Sequence, residues 1–288
     1  MTRAGAGRPA DRTPADRTPA DRTPADRTAH LADADPRARS WSSRTPGART
    51  AVLVSHGFTA TVQSVRGWAE AFAAAGFDVE APLLPGHGTT PADCDTTGWA
   101  DWLGALEQTL AALRSGHDTV AVAGTSMGGA LVLRLAQLHP GLVDGIVLAN
   151  PAVKLDPVRA AAVATLGRVL PSWPAIAGDL QDTSRTVLAY DRTPLRALVS
   201  QSAGWRAVRR DLARVDQPVL LLRSRTDHVV PASSSRAVLA GTTSTDVTER
   251  VFDDSFHELT SDRDADAVEA ASVAFVRRLA SRPPRSPR

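Results

Sequence analysis

Cysteine, lysine and long apolar runs are all scarce in this 288-residue chain. A single cysteine, Cys94, excludes an intrachain disulfide and a thiolate metal site. Its neighbours Asp93 and Asp95 disfavour a thiolate, so Cys94 reads as a packing residue rather than a nucleophile. Lys154 is the only lysine beside many arginines, and the net charge is only +2, so no basic face for nucleic acid is implied. No stretch approaches the roughly 20 apolar residues of a membrane span, and the N-terminal region has no continuous h-region of about 7–15 apolar residues. A soluble, cytoplasmic protein without stable membrane insertion is expected. His, Asp and Glu residues show no HExxH-like spacing, so neither a metal nor another cofactor is expected. No oligomeric state is implied.

The first 48 residues form a different polymer from the rest. Asp-Arg-Thr-Pro-Ala occurs three times from Asp11 to Ala25, and Asp26-Arg27-Thr28 begins a fourth copy. A proline in every unit blocks helix continuation, and almost no large apolar side chain is present to offset ordering entropy. Residues 1–48 are therefore expected to be a disordered tail, acting as a linker or a partner-binding arm, and residues 282–288 a second one. Residues 49–281 form one domain.

From Arg49 onward, apolar runs of strand length alternate with helix-period stretches, the pattern of an α/β fold with a mostly parallel sheet covered on both faces. Strands are expected at 51–54, 77–82, 119–123, 145–149, 218–222 and 250–252. Helices are expected at about 64–75, 97–114, 130–138 and 264–279, and no convincing strand precedes Ala51. More than 60 residues separate the strands at 145–149 and 218–222, too many for an ordinary crossover. An insertion at about 153–212, with helical pieces around Leu166 and Leu198 and breaks at Trp173-Pro174 and Asp191 to Pro194, would form a small helical lid over the sheet's carboxyl edge, where such sheets bind ligands.

Gly124-Thr125-Ser126-Met127-Gly128 lies between a strand and a helix. In that setting the glycines permit a sharp turn, the Ser126 hydroxyl projects above the sheet edge, and the next N–H opens a helix. A serine nucleophile needs a base, an acid that orients the base, and donors for an oxyanion. His257 follows the last strand and is the expected base; His30, His117 and His139 lie in the tail or at helix ends. Asp227 emerges at the end of the fifth strand and completes the chain order Ser, Asp, His, with Asp253 and Asp254 as other acid candidates. Backbone N–H groups of Met127 and of Phe58, in Ser55-His56-Gly57-Phe58, are the oxyanion donors. The Phe58 ring, His56, Leu166 and Leu198 are candidate substrate contacts, although His56 is better suited to fixing its loop.

Ser55-His56-Gly57-Phe58-Thr59, Pro85-Gly86-His87-Gly88, Trp99 with Trp102, Gly124 to Gly129, Asp227 to Val230 and Ser255-Phe256-His257 resemble, in order and spacing, the α/β-hydrolase superfamily. More narrowly, they resemble the small bacterial carboxylesterase and monoacylglycerol lipase family. The resemblance covers residues 50 to 280. It implies a catalytic triad of Ser126, Asp227 and His257, oxyanion groups at Phe58 and Met127, and a small mobile lid. The expected activity is cleavage of short- to medium-chain acyl esters or monoacylglycerols through an acyl-enzyme. Thioesters or lactones are alternative substrates, and a non-catalytic ligand-binding member is an alternative class.

Overall fold

The computed structural model describes residues 31–155, 165, 170–175 and 178–282. Seven strands form one sheet: β1 (Trp41–Ser43), β2 (Thr50–Ser55), β3 (Asp78–Ala81), β4 (Thr119–Thr125), β5 (Gly145–Ala149), β8 (Val219–Ser224) and β9 (Val247–Phe252), in the order β1-β3-β2-β4-β5-β8-β9. All neighbours pair in parallel except β1 with β3. Strands β2, β4 and β5 are buried along their whole length, which explains their near-continuous runs of Val, Leu, Ile and Ala.

Successive residues of each strand feed opposite cores. Leu53, Val122, Ile146, Leu148 and Leu221 pack on one face, with α4 (Trp99–Gly116), α5 (Met127–Leu138) and α6 (Leu195–Arg210). Val52, Val54, Val147, Leu220 and Leu222 pack on the other, with α2 (Arg66–Ala74) and α8 (Ala265–Ala280). The period of two along the strands therefore becomes two apolar layers, and each fully buried Leu or Phe contributes about 1.5–3 kcal/mol. In α2, Trp68, Ala69 and Phe72 share the buried face, and Gly76, with φ of +91°, ends the turn that follows.

Two expectations need correction. Trp41–Ser43 forms an antiparallel edge strand, with Trp41 opposite Ala81 and Ser43 opposite Val79, although no strand was expected before Ala51. Its three half-exposed or exposed residues carry too short a pattern to mark a strand; pairing with β3 and the Arg66 guanidinium 4.5 Å above the Trp41 ring hold it. Short helix α1 (Leu31–Ala34) and a 3-10 turn at Pro36–Ala38 also precede it, so residues 31–48 are not the featureless tail expected from composition. The 3-10 turn is capped by the Asp35 carboxylate, which accepts the Arg37 N–H at 2.8 Å and pairs with its guanidinium.

Because the chain runs from β2 outward to β3 and then returns to β4 on the other side of β2, the order reverses between β2 and β4. Loops leaving the carboxyl ends of these two strands diverge there and open a crevice. Among the described residues of the connection from β5 to β8, Trp173, Leu198 and Trp205 face it. Where the sequence marked breaks, Ser172–Pro174 (β6) and Arg192–Pro194 (β7) pair as a two-stranded antiparallel ribbon before α6. Among the described residues, no helix is long and apolar enough to cross a membrane.

Candidate active site

Ser126 sits between β4 and α5 with φ of 52° and ψ of −118°, a backbone conformation that a residue with a side chain adopts only at a cost. Tight packing around the turn enforces it. A Cβ on Gly124 would run into the backbone of Gly128 and Gly129, and one on Gly128 would strike the backbone oxygens of Ser55 and His56. The turn is also tied from below: Ser126 N–H donates to the Ala149 carbonyl at 3.0 Å, and Ser126 O accepts the Ala152 N–H at 2.9 Å.

The loop after β2 lies against this turn. A Cβ on Gly57 would stand 3.4 Å from the Ser126 Cβ, so the two segments lie within ordinary packing distance of each other. Among the described residues, neither the Phe58 N–H nor the Met127 N–H, which opens α5, has a hydrogen-bond partner. The loop itself is fixed by His56, whose Nδ1–H donates to the Gly57 carbonyl at 2.9 Å while Nε2 accepts the Leu84 N–H at 3.1 Å. Burial drives the His56 imidazole down to about 4, with the Gly57 bond opposing, so it stays neutral. Fully buried with both ring nitrogens engaged, His56 does not line the cavity beside Ser126, contrary to its place among the substrate contacts.

His257 lies in the turn after β9, and its Nδ1–H donates to Asp227 Oδ2 at 2.8 Å. The other oxygen of Asp227 accepts the N–H groups of Val229 at 2.8 Å and Val230 at 2.7 Å, so three donors converge on one carboxylate. Burial pushes the Asp227 carboxyl up, but the His257 charge and these hydrogen bonds outweigh it and hold the group below its ordinary value. In His257 burial acts downward and the Asp227 carboxylate upward, through its charge and its hydrogen bond; with Glu258 and Asp179 adding to the upward pull, the imidazole ends above its ordinary value. Asp253 and Asp254, the other acid candidates, are exposed, and Asp253 pairs with Arg225. Cys94, buried at the end of a short helix (Pro91–Cys94), is pushed up to about 12 by burial first and by Asp95 next.

Ser126 and His257 line one cavity of about 480 Å³, within the range of small-molecule sites. Phe58, Leu155, Trp173, Leu198, Trp205 and Val229 supply an apolar wall, with Lys154, Thr193, Gln201 and Glu258 as polar points on it. Of the candidate substrate contacts, Leu198 and Phe58 line this cavity; Leu166 lies outside the described residues. Sequence reasoning missed Asn150, whose Nδ2 donates to the His257 carbonyl at 2.9 Å and whose Oδ1 accepts the Ser224 N–H at 2.9 Å. Its φ of 43°, at the carboxyl end of β5, has no signal in the local pattern. Glu258 was also missed: burial first, then Asp227, Asp179 and Asp262, raise its carboxyl against the pull of His257. Among the described residues, no group of three or more His, Cys, Asp or Glu could hold a metal ion.

Among the described residues the arrangement holds a strained serine, a buried imidazole bonded to a carboxylate, and two unpartnered N–H groups at one end of the sheet, groups of the kinds that acyl transfer uses. The family described as serine aminopeptidase, S33, matches residues 46–264. The chain is 36% identical over 225 residues to the thermostable monoacylglycerol lipase of Bacillus sp. (strain H-257), covering 78% of this chain and 89% of that protein. It is 25% identical over 231 residues to a carboxylesterase of Bacillus subtilis (strain 168), covering 79% and 92%. Among solved structures, one from work on the metagenome-derived lipolytic enzymes LipS and LipT superimposes with a TM-score of 0.81 at 35% identity, covering 84% of this chain and 98% of that one. The chain belongs to the serine aminopeptidase S33 family of the α/β-hydrolase superfamily, as a lipase- and esterase-like hydrolase.

Proposed function

We propose that the protein cleaves carboxylic esters through an acyl-enzyme on Ser126, with His257 as general base and acid and Asp227 as the group that orients it. The observation that carries this reading is the 2.8 Å bond from His257 Nδ1 to Asp227, on an imidazole that opens onto the same cavity as Ser126. With Nδ1–H committed to Asp227, Nε2 carries the lone pair that takes the Ser126 proton as Oγ attacks the ester carbonyl carbon. The carbonyl oxygen gains negative charge and is met by the N–H groups of Phe58 and Met127, each such donor being worth about 3 kcal/mol. As the tetrahedral intermediate collapses, the alcohol leaves with the proton from Nε2. Water then adds to the acyl-enzyme, giving its proton to Nε2, and collapse releases the carboxylic acid and restores Ser126.

The wall of the cavity supports the substrate class in this reading. Its aromatic and aliphatic lining suits an uncharged short- to medium-chain acyl group, and Thr193, Gln201 and Glu258 offer hydrogen bonds to a polar alcohol, so monoacylglycerols fit alongside simple esters. The β5–β8 connection supplies much of that wall and acts as a lid. Hydrolysis of p-nitrophenyl esters from acetyl to palmitoyl, with monoacylglycerols alongside and Ser126→Ala as blank, tests the reading. A serine-dependent optimum at short or medium chains is expected. Turnover no better than the blank across the series would overturn it.

A further inference from the structure

The acid-bearing and base-bearing loops meet on a residue that belongs to neither. Asp179, in the β5–β8 connection, points its carboxylate at both: Oδ2 accepts the His228 N–H and the His257 N–H, each at 3.2 Å, and Oδ1 lies 2.9 Å from His228 Nδ1. Its own carbonyl accepts the Glu258 N–H at 3.2 Å. His228 directly follows Asp227, so one side chain touches the backbone beside the acid and the backbone of the base. Only 12% of the Asp179 side chain is exposed, whereas the His228 side chain is 54% exposed, so of the three bonds the one to the His257 N–H is the shielded one, and bonds to a charged acceptor are the stronger kind.

A second fastening lies alongside. The fully buried Asp262 accepts the Phe256 N–H at 2.9 Å and the Gln181 N–H at 2.7 Å on Oδ2, and the Asp182 N–H at 2.9 Å on Oδ1. The Phe256 ring meets the His228 ring edge-on at 4.7 Å. Segment 179–182 thereby bonds directly to the His257 and Glu258 N–H groups and is linked to Phe256 through the shared Asp262 carboxylate. The same connection contributes Trp173, Leu198 and Trp205 to the cavity wall.

We propose that Asp179 is a positioning residue: its carboxylate locks the Asp227 and His257 loops to each other and to the β5–β8 connection, so that the pose of the imidazole is set by that clamp. This rests on the ester-hydrolase reading above. A misplacement on the order of 1 Å in a catalytic group can cost up to about 100-fold in rate, and the clamp acts on the backbone of the base itself. The charged and titratable groups around the clamp are Asp227, His257, Glu258, His228 and Asp262; Asp179 itself, with Asp227 and Glu258, favours the charged form of His257.

Geometry and charge separate in two variants. Asp179→Ala removes the clamp. Asp179→Asn keeps its shape: the amide oxygen can take the two backbone N–H groups while the amide nitrogen faces His228 Nδ1, yet the charge is gone. Both are assayed on a soluble ester, with rates divided by the concentration of sites titrated with a fluorophosphonate, which removes unfolded protein from the comparison. In Asp179→Ala, kcat per titrated site should fall on the order of 10- to 100-fold with KM changing far less. Asp179→Asn should recover most of that loss, and the acid limb of its kcat/KM profile should move to lower pH, because one of the carboxylates that favour protonated His257 has been removed. Unchanged kcat per site in Asp179→Ala, an Asp179→Asn as impaired as the alanine variant, or an acid limb at the wild-type position would each overturn the proposal. Wild-type protein without Ser126-dependent turnover would instead defeat the ester-hydrolase reading.

Discussion

Replacing Asp227 by asparagine removes a charge while leaving the shape of the site, and the structure dictates which way the amide must face. Val229 and Val230 both direct N–H groups at Oδ1, at 2.8 and 2.7 Å. Turning the amide nitrogen toward them would leave two donors facing a third, at a cost of about 1–3 kcal/mol for each one left unsatisfied. The amide oxygen therefore stays with the loop, and the NH2 group faces His257 Nδ1, where Oδ2 stood at 2.8 Å. Nδ1 must then accept, which moves the imidazole proton to Nε2 and takes away the lone pair that would receive the Ser126 proton. A wrong tautomer of this kind costs on the order of 10⁴-fold in kcat, about 5 kcal/mol of transition-state stabilisation. Initial rates on p-nitrophenyl butyrate, with thermal unfolding measured in parallel, provide the assay. Asp254→Asn, on the exposed surface, should keep wild-type rates. A folded Asp227→Asn within tenfold of wild type would refute the reasoning.

Three further outcomes follow from the same geometry. His257 is held above its ordinary value, so it is protonated and unable to act as a base below that raised value; kcat/KM should fall as pH drops through a point above the ordinary imidazole value, and a limb below the ordinary value in a pH–rate profile would contradict the assignment. Leu198→Ala deepens the apolar wall, so the chain-length optimum in the ester series should shift to longer acyl groups, with an unchanged profile counting against contact. Cys94 is buried and pushed up to about 12, so iodoacetamide at pH 8 should label the native protein only after unfolding, as mass spectrometry of timed samples would reveal.

How much of this was legible in the sequence depended on whether the signal was local. The elbow around Ser126, the strand ends carrying Asp227 and His257, and the two-faced strands could be read because glycine placement, chain order and apolar period are properties of short windows. The edge strand at Trp41–Ser43 could not, since three residues with one apolar side chain have no period and owe their form to β3. Asn150 and Asp179 were invisible for a related reason: they act on His257 from 107 and 78 residues away, through hydrogen bonds that leave no trace in hydrophobic pattern. His56 illustrates the converse. A histidine beside the oxyanion loop invites a chemical role, yet full burial and two committed ring nitrogens make it a fastener.

The central claim is that Ser126 is the nucleophile, and the most direct test is covalent. Incubation with a fluorophosphonate, followed by intact-mass and peptide analysis, should give a single phosphonyl adduct on the peptide containing Ser126, none in Ser126→Ala, and loss of ester turnover in step with labelling. An unmodified Ser126 peptide, or a Ser126→Ala variant that still turns over esters at the wild-type rate, would contradict the account.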